Sequence, residues 1–278
     1  MSSGFDPAAF TADAKHQWSS VAPSYDRMSG ELFPPIQSAF LTFVQLRAGQ
    51  LVLDVACGTG ALTAVAAKAV GSGGRVVGVD LAPGMLKLAM ARATEPNLEY
   101  REMNAEELDL PNGLFNVVVC QLGLMLFSRP QAALKEMVRV CKKGGAVACL
   151  VQGSPERMLF TSLILKTIVK HAPESKQPGV PNIYAFAPVG VLDQALADAG
   201  LWHIVSSRVA GAFFFDSPRH YWDTMTSGSG RTGALLRSLP EATQRAIEED
   251  VLAQAAKLTQ DGKTAIPYEV VMAKGLRA

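Results

Sequence analysis

The run Leu51-Val52-Leu53-Asp54-Val55-Ala56-Cys57-Gly58-Thr59-Gly60, followed by the alanine-rich stretch Ala61 to Val70, constrains the fold of this chain more than any other segment. Its apolar first half reads as a buried strand, its two glycines as a tight turn, and the alanine-rich stretch as a helix. Glycines in such a turn let the backbone approach a ligand closely and take conformations that a Cβ resists. The N–H groups that open the helix favour an anionic group in front of them.

The alternation continues downstream. Arg75 to Val79 reads as a second strand ending at Asp80, and Ala82-Pro83-Gly84 opens a helix running to about Ala93. Leu98 to Arg101 is a third strand and Leu114 to Cys120 a fourth. Pro130 to Val140 is a helix, closed by Lys142-Lys143-Gly144-Gly145, and Ala146 to Val151 is a fifth strand. In the last third, a helix over Met158 to Lys170 leads into a proline-bearing loop from His171 to Pro188. A helix over Val189 to Ala199, ended by Gly200, precedes an alternating strand from His203 to Phe215. A short helix over Pro218 to Thr226, a flexible Ser227 to Gly233, a helix over Pro240 to Leu258 and a last strand from Ala265 to Ala273 complete the chain.

Short apolar strands alternating with helices predict an α/β fold. We expect a Rossmann-like, mostly parallel seven-stranded sheet with helices on both faces, plus a largely helical lid insertion. Right-handed crossovers bring successive strand C-termini to one edge, where ligands bind. Three parts follow: residues 1–45, mixed in character with a helix at Phe40 to Leu46 behind Pro34-Pro35; a core over 46–153; and 154–278, a lid or substrate region with the last strands of the same sheet.

A chain of 278 residues, 49% hydrophobic and 18% charged, suits one domain carrying a cap or insertion. Twenty-six basic against 25 acidic side chains, with no long basic run, advertise no nucleic-acid partner. Cys57, Cys120, Cys141 and Cys149 form no C-x-x-C pair with matching histidines, so no metal site is expected, and they read as small buried hydrophobes. Met1 to Trp18 lacks the apolar core of a signal peptide, and the longest apolar run, near Val117 to Phe127, is too short to span a bilayer. The expectation is a soluble, cytoplasmic protein without a membrane span, monomeric or homodimeric.

Three signals carry chemistry. A dinucleotide fingerprint wants a third glycine at position 63, where this chain has Thr63. Asp54, just before the turn, suits the positive amino group of an amino-acid ligand better than a pyrophosphate; the bland alternative is an acid tying down loop N–H groups. Asp80, ending the second strand, suits two ribose hydroxyls, and can also cap the Pro83 helix. In Asn104-Ala105-Glu106, a polar side chain and a free N–H can read an adenine edge, against the alternative of an ordinary loop asparagine.

The segment from Val52 to about Val151 resembles class I S-adenosylmethionine-dependent methyltransferases, in the branch similar to ubiquinone/menaquinone-biosynthesis enzymes. The matching pieces are Val52 to Gly60, Val79-Asp80-Leu81-Ala82-Pro83-Gly84-Met85-Leu86, Leu110-Pro111, and Glu136-Met137-Val138-Arg139-Val140 before Gly144-Gly145. Upstream, Trp18 to Asp26 resembles the family segment that folds over the cofactor, making residues 1–45 a helical cap. The resemblance implies S-adenosyl-L-methionine as cofactor. Gly58 and Gly60, with Ala56 and Thr59 in the same loop, then pass beneath its methionine part, and Asp54 lies near the amino end. Asp80 holds the ribose, Leu81 and Met85 flank the adenine, and Asn104, Ala105 and Glu106 line its rim. Gln121 contacts the methionyl moiety and Tyr25 closes over the whole. The chain departs from the family pattern at Asn104 and Asn116, where acids are common, and at Met125, where relatives often carry histidine. Methionine moves no proton, so no catalytic base is assigned.

Trp18, Phe33, Met125, Phe127, Tyr184, Phe186, Tyr221 and Trp222 together suggest a hydrophobic acceptor pocket, with Trp18, Phe33, Met125, Tyr184, Tyr221 and Trp222 as its contacts; singly, each also reads as core. The expected activity is methyl transfer to a small, hydrophobic acceptor on carbon, oxygen or nitrogen by in-line displacement. The alternatives are a non-catalytic S-adenosylmethionine binder and a nicotinamide-dependent oxidoreductase.

Overall fold

The computed structural model describes residues 5–175 and 180–278. Its strands are β1 (Leu51–Val55), β2 (Arg75–Asp80), β3 (Leu98–Glu102), β4 (Phe115–Gln121), β5 (Cys141–Gln152), β6 (Leu201–Phe215), β7 (Thr259–Gln260) and β8 (Lys263–Arg277). They form one mixed sheet in the order β3-β2-β1-β4-β5-β8-β6, with the two-residue β7 off this path and paired to β8. β1 to β5 are mutually parallel, and β8 runs antiparallel to β5 and β6. The helices are α1 (Pro7–Leu32), α2 (Pro34–Val44), α3 (Ala61–Val70), α4 (Pro83–Arg92), α5 (Pro130–Val140), α6 (Leu159–His171), α7 (Val191–Asp198), α8 (Pro218–Gly228), α9 (Gly230–Ser238) and α10 (Glu241–Ala256).

β1 sits mid-sheet, with Leu53 level with Val77 of β2 on one side and Val118 of β4 on the other. Helices cover both faces, which is why Val52, Leu53 and Val55 are fully buried and the strand reads as an unbroken apolar run. One core joins Phe40, Val70, Ile164 and Val251 from α2, α3, α6 and α10; the other joins Leu134, Met137 and Leu196 from α5 and α7. Chain order reverses at β1, between β2 and β4, and that reversal leaves a crevice beyond the carboxyl ends of these strands.

Several elements differ from expectation. Residues 7–44 are almost wholly helical. Asp6 caps α1 by accepting from the N–H groups of Ala8 (2.9 Å) and Ala9 (3.2 Å), and Pro23 lies inside the helix. The apolar positions of α1 are shared among α4, α8 and α9, so no single stripe announces it. Ser227 to Gly233, expected flexible, joins α8 to α9. Its glycines are there for contact: a Cβ on Gly228 would meet Met28 Sδ at 2.9 Å, and one on Gly230 would meet the Trp18 ring at 3.4 Å. Lys142 to Gly145, expected to close α5, instead bulges β5, whose pairing with β4 jumps from Phe115–Cys141 to Val117–Ala146. Of the loop expected over 171–188, residues 176–179 lie outside the described part. No described helix is long and apolar enough to cross a membrane.

Candidate functional site

The loop after β1 carries three left-handed residues, Ala56 (φ 57°), Gly58 (φ 57°) and Gly60 (φ 80°). For alanine this costs about 1–2 kcal/mol. Leu122, just past β4, is also left-handed at φ 56°. Both non-glycine residues stand at the crevice, the setting in which backbone strain collects. They force a gap at Gly123, where a Cβ would meet Ala56 Cβ at 2.6 Å.

Two acids anchor this loop. Asp80 accepts from Gly58 N and from Ala82 N, each at 2.9 Å, so it caps α4 and pins the glycine turn together. Burial pushes its carboxyl up, against these backbone bonds. Asp54, 1% exposed, accepts from Thr63 Oγ1 at 2.7 Å. It is pushed up to about 7, chiefly by burial, with the Thr63 bond opposing and the Asp80 charge adding. Asp54 is therefore held by the hydroxyl at the very position where a dinucleotide site has its third glycine.

Two cavities adjoin here, sharing Tyr25, Ala56 and Gln121. The larger encloses about 800 Å³, open mouth included, between Gly58, Asp80, Leu81, Met85, Asn104, Ala105 and Glu106 on the sheet side and Phe10, Thr11, Ala14 and Trp18 of α1. Leu126 and Phe127 close its flank. The smaller, about 320 Å³, is polar: Ser29, Gln37, Asp54 and Thr59 line it with the first turn of α3. Gln121 Oε1 is buried between them without a hydrogen-bond partner.

Most loop and strand-end residues singled out from sequence converge on these cavities. Asp54 and Thr59 face the smaller one, and Gly60 faces neither, its missing Cβ making room for Tyr100. Two of the rim residues are already engaged. Asn104 Oδ1 accepts from Glu106 N at 3.0 Å. Glu106 accepts from Ser128 Oγ (2.7 Å), Arg129 N (2.8 Å) and Arg129 Nε (2.8 Å). Burial acts to raise its carboxyl, but these bonds prevail and hold it below the ordinary range. The Tyr25 hydroxyl is pushed up by burial and by the nearby Asp80 and Asp54 charges.

The acceptor set is not brought together. Trp18 lines the larger cavity, and so does Phe127. Phe33 packs edge-on to Phe160 in the core, and Tyr221, fully buried, donates to Phe160 O at 2.9 Å. Trp222 is core, Tyr184 pairs with Thr161 at 2.9 Å, and Met125 turns its Sδ to Gln152 N at 3.4 Å. Large apolar side chains gain most by full burial, and here the α1–α6–α8 interface offers it. No described residue beyond 153 lines either cavity. The cover is α1, backed by α8 and α9.

Sequence reasoning missed Phe10, Thr11 and Ala14, whose signal was the four-residue spacing of Phe10, Ala14 and Trp18 along one helix face. It also missed Ser29 and Gln37. The cover is fastened by Thr11 to Ser128 (3.1 Å), by Gly84 N donating to Ser19 Oγ (3.4 Å), and by the ion pairs Lys15–Glu102 and Arg92–Asp26.

Residues 52–145 match the model of a family described as a methyltransferase domain. A demethylmenaquinone methyltransferase of Listeria monocytogenes is 34% identical over 142 residues, 49% of this chain and 60% of that protein. The chain spans little more than half the length of the curated relatives it matches. Among solved structures, phosphoethanolamine N-methyltransferase 2 of Haemonchus contortus, in complex with phosphomonomethylethanolamine and S-adenosylhomocysteine, superposes with a TM-score of 0.60 at 17% identity, over 93% of this chain and 57% of that one. The [4+2]-cyclase SpnF superposes with a TM-score of 0.56 at 15% identity, over 95% of both chains. Sequence match and sheet order agree: residues 52–145 are similar to a methyltransferase domain, and the chain shares the Rossmann-like fold of these solved structures.

Proposed function

We propose that this protein transfers a methyl group from S-adenosyl-L-methionine to a small, largely apolar acceptor. The observation that carries the reading is the pair of adjoining cavities: one suits a nucleoside, the other is polar, and the unpartnered Gln121 Oε1 lies at their junction. A buried acceptor atom left unpaired costs about 1–3 kcal/mol, so its partner belongs to a ligand. When bound, the cofactor supplies a methyl group already activated on a sulfonium.

The chain's own residues bind, orient and exclude water. Each Asp80 oxygen accepts one N–H and keeps a lone pair for a ribose hydroxyl. Leu81 and Met85 offer apolar faces to the adenine. Gln121 Oε1 and the Asp54 carboxylate face the end where a cationic amino group belongs. Phe10, Trp18 and Tyr25 shut the site from above, which favours displacement by holding the reacting partners in line.

No described residue of the larger cavity is free to take a proton, and Asp54 lines only the smaller one. Glu106 is tied to Ser128 and Arg129, Asp80 to two backbone N–H groups, and Tyr25 stays protonated. The acceptors favoured are therefore those that ionise unaided or attack as neutral amines. The same lack of a base supports a second reading, a cofactor-binding protein that transfers no methyl group. Titration calorimetry with S-adenosylmethionine, S-adenosylhomocysteine and NADH, with Asp80→Ala as control, tests the first step. Binding of the first two, lost in the variant, supports the reading; binding of NADH instead overturns it. A labelled-methyl screen follows, starting with demethylmenaquinone, the compound in the Listeria relative's name, in its quinone and reduced forms. Turnover of none across a broad panel favours the second reading.

A further inference from the structure

The smaller cavity brings acceptors and donors together. The Asp54 carboxylate, its one charged residue among those described, and the acceptor Gln121 Oε1 line it. So does the first turn of α3, through Ala61 and Leu62, and Thr63 of the same turn donates to Asp54. Gly60 gives that helix no side-chain cap, so its first N–H groups have no partner within the helix. Gln37 of α2 reaches the same cavity. It is 9% exposed, and its side-chain amide makes no hydrogen bond to any described residue. Ser29 cannot supply the missing donor, because its hydroxyl donates to Asp26 O at 3.3 Å.

A cavity lined by a carboxylate and a carbonyl oxygen as well as by free N–H donors matches a zwitterion: an ammonium and a carboxylate on one carbon. We infer that Gln37 is a binding residue for the carboxylate of an α-amino-acid tail, donating from its amide beside the α3 N-terminus. This rests on the S-adenosylmethionine reading and deepens it. The N-terminal helices then do more than cover the nucleoside: α2 measures whether the ligand's tail is complete. An amide suits the task, since it donates to an anion without placing a second full charge beside Asp54. Loss of one hydrogen bond to a charged group lowers affinity about tenfold or more.

The test pairs two ligands that share the nucleoside and the sulfur and differ in the tail: S-adenosylhomocysteine carries the amino acid, methylthioadenosine does not. Wild type, Gln37→Leu and Gln37→Glu are titrated with each by calorimetry. The expected result is a loss of about tenfold for S-adenosylhomocysteine in Gln37→Leu, a greater loss in Gln37→Glu, and methylthioadenosine affinity within twofold throughout. The last arm shows that the folded nucleoside site is intact. Equal affinity of wild type and Gln37→Leu for S-adenosylhomocysteine overturns the inference, as does a parallel loss for both ligands, which would mark Gln37 as structural. Wild-type protein that binds neither overturns the cofactor reading itself, and this inference falls with it.

Discussion

Replacing Thr63 by valine keeps the shape of a fully buried side chain and removes a single donor, the hydroxyl 2.7 Å from Asp54 Oδ2. The cost depends on the state of the acid. When Asp54 is ionised the bond is charge-assisted and worth about 1.5–3 kcal/mol; when it is protonated the bond is neutral and worth about 1 kcal/mol. The difference, on the order of 1 kcal/mol, raises the Asp54 carboxyl by roughly one further unit from about 7. For an acid raised in the folded state, the stabilisation is complete below its ordinary value near 3.8 and is lost as pH rises through the folded value. Wild-type stability from this residue therefore falls between about pH 4 and 7, and the variant goes on falling to about pH 8. Urea unfolding at about pH 5.5 and 8.5, followed by two optical probes, reads the effect. Thr63→Val should lose about 1 kcal/mol at the lower pH and about 2 kcal/mol at the higher, the latter a drop of roughly 4–8 °C in Tm, while Thr63→Ser stays near wild type. An equal loss at both values would refute the claim that Thr63 holds an ionisable Asp54.

Gly84→Ala should lift α1, because its Cβ would sit against the Ser19 backbone, with Cα at 2.7 Å; amide exchange over residues 7–32 should quicken and S-adenosylhomocysteine affinity should fall. Asp80→Asn leaves one of the Gly58 and Ala82 N–H groups without an acceptor, costing about 1–3 kcal/mol, and should weaken nucleoside binding at least tenfold by calorimetry. The affinity for S-adenosylhomocysteine should rise from about pH 5.5 to 7 as Asp54 ionises; a flat profile would remove Asp54 from the ammonium site. With any accepted substrate, the pH–rate profile should follow the acceptor's own ionisation, and a second limb shared by unlike acceptors would reveal a protein base.

The parallel half of the sheet was readable because its signals are local. β1 and β2 are apolar runs ended by acids, and their turns carry glycine where the backbone is left-handed, as at Gly58 and Gly60. What escaped lies in contacts between distant segments. α1 spreads its buried residues over three partners, so its pattern has no single period. Gly228 and Gly230 look like punctuation in sequence and are close approaches to Met28 and Trp18 in the fold. The aromatic residues of the last third looked like a pocket because composition alone does not separate a lined cavity from a filled core. Tyr221 and Phe160 fill theirs.

The polar residues at the crevice divide by who satisfies them. Glu106 and Asn104 spend their hydrogen bonds within the chain and hold the rim in place. Asp80 is half spent: one lone-pair direction on each oxygen fixes the glycine loop and α4, and the other remains open. Gln121 Oε1 and the Gln37 amide are unspent. Burying such a group without a partner is a standing cost in the empty protein, and Gln121 bears it where the two cavities adjoin. That distribution points to the ligand more directly than any motif does. On the proposed reading, Gln121 and Gln37 select a ligand by its amino-acid tail, while the open lone pairs of Asp80 and the braced rim hold it by its nucleoside. On the same reading, the methyl group between the two ends would meet an acceptor entering beneath Trp18 and Phe127, and those apolar walls would choose it.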